Sequence, residues 1–282
     1  MAAAFNLKLK ALMHVRTNGT DLAPQRKPGI KICENPGSMK IRLAGFILVT
    51  LLAGCVKNRQ NPGQSETNIV PSDFLSDNKY KTLYIDFLYD QGNPPSAETI
   101  NNLKNFLNNR LNKSGGIQIV QREFSGNGKD KISIADVEAI EKKNRSYFSK
   151  GNMLGAFVYF VNSDYSDNQG SVKVLGMAYA STSIVIFGKT IHSYSGSFGR
   201  PSYVTLETTV AEHEFGHVMG LVNNGTSMLK QHLDASHDKH CSNTACLMYY
   251  AAETSDIVQN LLGGVPSLDQ NCIDDLRNNG GK

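Results

Sequence analysis

The sequence predicts an α+β domain in which helices cover one mixed β-sheet and an irregular C-terminal subdomain follows. Three observations predict it. The 282 residues are 40% hydrophobic and 19% charged, enough apolar content for a packed core and too much for a disordered chain. Segments of strand and helix character alternate between residues 82 and 187 and end in a long helical pattern, an order that one helix-covered sheet satisfies. After Leu221 the chain loses periodicity and becomes rich in His, Asp, Asn and Cys.

Thr82–Tyr89 is β-branched and aromatic and makes the first strand. Gly92–Pro95 is a turn. Ser96–Asn112 sets Ile100, Leu103, Phe106, Leu107 and Leu111 at helical spacing, with Ser96 as the cap. Ile117–Phe124 is a strand and Ala135–Phe148 a helix. Met153–Asn162 is a buried strand, and Val172–Ala180 and Ser183–Phe187 are two more. Tyr203–Leu221 is a long helix, opened by Pro201-Ser202 and closed near Gly220.

The net charge of +4 misleads about partners. Of the 29 Lys/Arg and 25 Asp/Glu, residues 1–54 hold eight and two, and the remaining 21 and 23 leave the rest of the chain near −2. No basic stripe with interleaved aromatics follows, so nucleic acid is not an expected partner. There is no P-loop, no dinucleotide fingerprint and no placed Ser/His/Asp set. Five cysteines are too few for a disulfide-built scaffold.

No apolar run reaches the ~18–20 residues of a membrane-spanning helix. Met39-Lys40-Ile41-Arg42 is instead a basic start, followed by an apolar stretch from Leu43 to Ala53 of signal-peptide length. It ends in Leu52-Ala53-Gly54-Cys55. This order resembles the lipobox of bacterial lipoproteins. The resemblance implies cleavage before Cys55, lipid on that cysteine, and a domain held at a membrane of the bacterial cell envelope, outside the cytoplasm. An ordinary secretory signal with an incidental cysteine is the alternative. Residues 1–38 are set aside as an extension, 39–54 as the signal peptide and 55–78 as a flexible tether. Residues 79–282 remain as the catalytic domain, expected to be a monomer.

The chemistry is concentrated in His213-Glu214-Phe215-Gly216-His217. Residues four apart share a helix face, so both imidazoles can reach one ion. A Zn²⁺ held by two histidines needs another protein ligand and an open position for water. A glutamate beside it can take that water's proton and pass it to a leaving amine. Chance produces this pattern in about one chain in a hundred of this length. The accidental reading is weakened here because five of the six histidines outside the leader lie between 213 and 240.

The run His217-Val218-Met219-Gly220-Leu221-Val222-Asn223 extends the motif. It resembles the metzincin signature of zinc peptidases, with Gly220 as the residue that lets the chain leave the helix sharply. It departs from that signature at Asn223, where the family has His or Asp. Further on, His240-Cys241-Ser-Asn-Thr-Ala-Cys246-Leu247-Met248 resembles the archaemetzincin continuation. The resemblance covers about 36 residues, from His213 to Met248. It implies a zincin-like twisted sheet with an active-site helix, His240 as third zinc ligand, and Met248 as the family's Met-turn residue. It also implies a loop of about 17 residues between Val222 and His240, an insertion whose entropic cost grows only logarithmically. Asn223, His232, Asp234 and His237 are the rivals for the third ligand. Tyr250, two places beyond Met248, is a candidate for oxyanion support, against a plain core aromatic.

In archaemetzincins the matching cysteines join two later ones around a second, structural zinc. Here only Cys272 follows, so a Cys₃His site with a neighbouring histidine competes with a disulfide, Cys241–Cys246 or Cys246–Cys272. The disulfide is the expectation in an oxidising compartment.

The functional expectation is therefore a lipid-anchored zinc endopeptidase. His213, His217 and His240 hold the metal, Glu214 is general base and then acid, and a peptide pairs along Val172–Ala180 as an added strand. The alternative is a zinc-stabilised surface binding lipoprotein without turnover. A third reading takes Glu253 as the metal's acidic ligand, against which Gly220 and the Met248 context argue.

Overall fold

The computed structural model describes residues 68–256 and 261–282, which lie within one compact unit, Asn58–Lys282. The signal peptide, Cys55 and the first part of the tether lie outside the described residues. Among the described residues no helix is long and apolar enough to cross a membrane.

The helices are α1 (Pro71–Leu75), α2 (Ala97–Arg110), α3 (Ile134–Asn144), α4 (Gly188–Tyr194), α5 (Tyr203–Val218) and α6 (Gln270–Asn278). The strands are β1 (Thr82–Asp90), β2 (Gly116–Phe124), β3 (Lys131–Ile132), β4 (Met153–Val161), β5 (Asp164–Tyr165), β6 (Gly176–Ala180) and β7 (Ser183–Phe187). Five strands form the main sheet in the order β2-β1-β4-β7-β6, and β3 pairs with β5 in a two-stranded ribbon. β1 runs parallel to β2 and β4, and β4 parallel to β7. β6 alone is antiparallel, turning back from β7 at the sheet edge. The sheet is mixed, as the sequence predicts.

Alternation along β4 shows why two layers form. Leu154, Ala156, Val158 and Phe160 enter one cluster with residues of α2 and α5. Phe157, Tyr159 and Val161 enter another with Val137 of α3. A strand buried on both faces needs an apolar residue at every position, and β4 supplies one at all but Gly155.

Several boundaries differ from expectation, each for a local reason. α3 ends at Asn144 rather than 148 because the Arg145 guanidinium turns back to Tyr147 O and Gly155 O. The aromatic Tyr147 that seemed to prolong the helix stacks on Tyr84 instead. The strand expected over Val172–Ala180 is regular only from Gly176. Its first part is held by another segment, with Leu175 N–H donating to Glu253 O and Ser255 N–H to Lys173 O.

The tether expected to reach residue 78 stops earlier. Ile69, Phe74 and Leu75 are buried in the main core, and Lys113 ties the following turn down. Its ammonium donates to the carbonyls of Asp73, Ser76 and Tyr80. Lys113→Met would leave three carbonyls short of a donor. Its expected cost is about 2–3 kcal/mol in denaturant unfolding, with protease nicking before Tyr80 ahead of global unfolding.

Candidate metal centres

Helix α5 carries the first centre. Ser202 opens it, its Oγ accepting from Thr205 N–H at 3.0 Å, and its residues from Leu206 to Val218 are buried. It ends in a Schellman motif, with Gly220 N–H donating to His217 O (3.0 Å) and Leu221 N–H to Gly216 O (3.1 Å). Gly220 has φ +79°, the left-handed conformation that motif requires. Val222 and Asn223 follow at φ 52° and 62°. Two left-handed residues in succession turn the chain away, and the exposed Asn223 joins neither metal-binding group.

The long loop returns as a narrow hairpin. Leu233 bridges Cys241, Asp234 N–H donates to His240 O, and Ser242 N–H donates to His232 O. Neighbouring residues of an extended chain point to opposite sides. His240 therefore faces α5, while Cys241 faces away toward α6. Two groups of potential metal ligands result. One is His213, His217, His240 and Glu253, and the other centres on His232, Cys241, Asp269 and Cys272.

In the first group the ring centroids of His213, His217 and His240 lie 4.7, 5.4 and 5.0 Å apart. His213 Nδ1 is 2.7 Å from Leu247 O, and His240 Nδ1 is 2.9 Å from Asp238 O. A carbonyl only accepts, so both Nδ1 atoms carry the proton and both Nε2 atoms present lone pairs. Those Nε2 atoms are buried with no hydrogen-bond partner. Burial first, then the neighbouring His217, pushes the His213 pKa down to about 3, and burial likewise lowers that of His217. The His213 and His217 rings are thus neutral, the state in which imidazole binds a metal.

Glu253 completes this group. It ends a 3₁₀ turn over Tyr250–Glu253. Its carboxylate stands 4.0 Å from His213 Nε2, 3.7 Å from His217 Nε2 and 3.5 Å from His240 Nε2. The sequence context argued against Glu253 as a partner of the histidines, and the structure places it among them.

Glu214 lies on the same helix, fully buried, with neither carboxylate oxygen hydrogen-bonded. Burial above all, then the charge of Glu253, raises its pKa well above the usual value. It sits beneath the edge strand, where a Cβ on Gly176 would come within 2.9 Å of its Oε1. Met248 packs from below. A Cβ on Gly216 would meet its Sδ at 2.2 Å, so a larger residue at the fourth position of His213–His217 would force the Met248 side chain to move. A cleft of about 260 Å³ opens beside His217, between Ala178–Ser181 on one side and Ile69, Pro71, Val218, Asn224 and Lys239 on the other.

The rivals for third ligand are placed elsewhere. His237 pairs with Asp234 at 2.9 Å and stacks on Tyr250 with centroids 3.6 Å apart. The Tyr250 ring is thus engaged with His237. His232 belongs to the second group.

There the expected disulfide is absent, and Cys241, Cys246 and Cys272 are all free and buried. Cys246 Sγ and Cys272 Sγ are 3.7 Å apart, far beyond the ~2.0 Å of a disulfide. Two thiolates at ~2.3 Å from one tetrahedral zinc would stand about 3.8 Å apart. His232 Nδ1 is 3.4 Å from Cys241 Sγ and 3.9 Å from Cys272 Sγ. Its Nε2 is 2.8 Å from Asp275 Oδ2, so a buried carboxylate orients the ring. Cys246 Sγ receives the backbone N–H of Met248 and of Asp269. Hydrogen bonds from Cys241 and Cys272 hold its pKa down to about 4, while theirs are raised. Cys272 comes from α6, a helix missing from the sequence reading. Asp269 caps it by accepting Cys272 N–H, and that cap was its one clear signal.

The donor sets, three imidazoles with a carboxylate, and two thiols with an imidazole and a carboxylate beside the third thiol of Cys246, are those that suit zinc. No family model matches the chain, and no curated protein matches it. Among solved structures the chain is similar to an archaemetzincin from Methanopyrus kandleri, at 12% identity and a TM-score of 0.48, over 71% of this chain and 96% of that one. It is also similar to a zinc-dependent peptidase from Methanocorpusculum labreanum, at 14% identity and a TM-score of 0.42, over 68% and 99%.

Proposed function

We propose that this protein is a zinc-dependent endopeptidase of metzincin type. The observation that supports it best is the convergence of three imidazoles, His213, His217 and His240, beside a buried, unpartnered Glu214 under an open sheet edge. Zinc held there would polarise a peptide carbonyl and lower the pKa of water. Glu214 takes a proton from the attacking water and returns it to the leaving nitrogen, a role for which its desolvated carboxylate is suited. β6 offers backbone groups to an extended peptide as an added strand. The available edge is Gly176–Ala180, because Lys173–Leu175 is already bonded to residues 253–255. Gly176 keeps that edge close over Glu214.

The lipid anchor at Cys55 belongs to the same proposal and rests on the order of residues Met39–Cys55 in the sequence. It would present the catalytic domain to polypeptides outside the cytoplasm. A second reading, a zinc-stabilised binding protein without turnover, draws on Glu253. Four protein ligands around one zinc is the arrangement of structural sites.

Digestion of an unfolded protein such as casein tests the proposal. Cleavage should cease with a chelator and return on adding Zn²⁺. A metal-loaded protein that never cleaves, yet unfolds on chelation, would favour the binding protein.

A further inference from the structure

Acceptor atoms of three groups meet in the first centre with no hydrogen bond among them. His213 Nε2 and His240 Nε2 present lone pairs, and the Glu253 carboxylate faces them at 4.0 and 3.5 Å and His217 Nε2 at 3.7 Å. Such a set repels itself unless a cation lies between its members. In a tetrahedral zinc site with ligands ~2.0–2.2 Å from the metal, adjacent ligand atoms stand about 3.3–3.5 Å apart. Two of the three Glu253 separations, 3.5 and 3.7 Å, are near these edges, so the carboxylate stands where a fourth ligand to a cation held by the imidazoles would stand.

We propose that Glu253 is a fourth protein ligand that closes the resting centre, and that its departure opens the position for catalysis. This rests on the reading of His213, His217 and His240 as zinc ligands and adds a control element to it.

The surroundings show how it would leave. The backbone of residues 253–255 is pinned to residues 173–175, so the segment does not lift as a whole. The Glu253 side chain is 31% exposed, whereas the His213 and His240 side chains are 0% and 9% exposed. Rotation about its own bonds carries the carboxylate to solvent while the rings stay in place. The pinned residues run directly into β6, so a peptide pairing with Gly176–Ala180 arrives beside Glu253. Its carbonyl can then replace the carboxylate at the metal. No covalent bond is made or broken in the exchange.

The test uses the full chain loaded with Zn²⁺ and its Glu253→Gln variant. A crystal structure with anomalous differences at the zinc edge should place a Glu253 oxygen within about 2.2 Å of the ion. Chelator competition should show zinc at the histidine centre held at least about tenfold more weakly in Glu253→Gln, with zinc at the cysteine centre unchanged. Peptide cleavage by the variant at saturating zinc should rise severalfold. Zinc on the three imidazoles with Glu253 more than about 3 Å away, or equal zinc affinity in the two proteins, overturns the inference and leaves the peptidase reading standing. Absence of zinc from the three imidazoles overturns both.

Discussion

Glu214→Ala is expected to cut peptide cleavage by about a hundred- to ten-thousandfold, equivalent to about 3–5 kcal/mol of barrier. Zinc content and the fold should be unchanged. The reasoning starts from burial. Both carboxylate oxygens of Glu214 are enclosed without a hydrogen bond, and desolvation without compensation costs stability. A residue kept at such a cost contributes little to the fold that alanine would lose. The variant should melt at or above the temperature of the parent, offset only by the small cavity left under Gly176. The other members of the centre depend on different supports, His213 on Leu247 O and His240 on Asp238 O. Metal analysis should therefore find the variant and the parent equally loaded. Retained digestion of casein by Glu214→Ala would refute the assignment. Loss of zinc together with activity would make Glu214 a ligand rather than a base.

What the sequence disclosed follows from how local each feature is. His213, Glu214 and His217 were legible because helical geometry alone sets their relation. β1, β4 and β7 were legible because burial on both faces forces apolar runs, and the edge strand β2 through its β-branched residues alone. His240 was legible only through a motif, since the 17-residue loop before it carries no periodicity. Two features stood in the sequence only as disfavoured alternatives because they depend on tertiary structure. Glu253 reaches the histidines through a 3₁₀ turn and the bridge from Thr254 to Val174, pairings that leave no spacing signal. His232 joins the cysteines only because a hairpin folds residue 232 back against 241. Without that hairpin, three cysteines behind an expected export signal read as a disulfide with one thiol left over. α6 was missed because its buried face contains Cys272 and Asp275 beside Leu276, so its apolar periodicity is broken by the residues that build the second centre.

The second large effect is expected at that centre, and it should extend to the first. The hairpin that carries Cys241 also carries His240, and the turn that carries Cys246 also carries Leu247 and Met248. Cys241 N–H donates to Met248 O at 2.7 Å, and Leu247 O accepts from His213. Fixing the three thiols and His232 on one ion therefore fixes the third imidazole, the carbonyl behind His213 and the methionine under Gly216. Cys272→Ala removes a donor that α6 supplies from the far side of the cluster. Its expected cost is about 4 kcal/mol if free zinc stands about a thousandfold above the dissociation constant. In a domain of this size the melting temperature should fall by on the order of 10 °C. The variant should lose zinc from the cysteine centre and, with His240 no longer held, most of its peptidase activity at ordinary zinc concentrations. Asp275→Asn should show the same pattern more weakly, because it loosens the His232 ring without removing a ligand. Calorimetry with metal analysis decides the matter. Unchanged melting and zinc content in Cys272→Ala, or a Cys246–Cys272 disulfide in the unreduced protein by mass spectrometry, would show that this cluster is not a metal centre. The loop bearing His240 would then have to be held by packing alone.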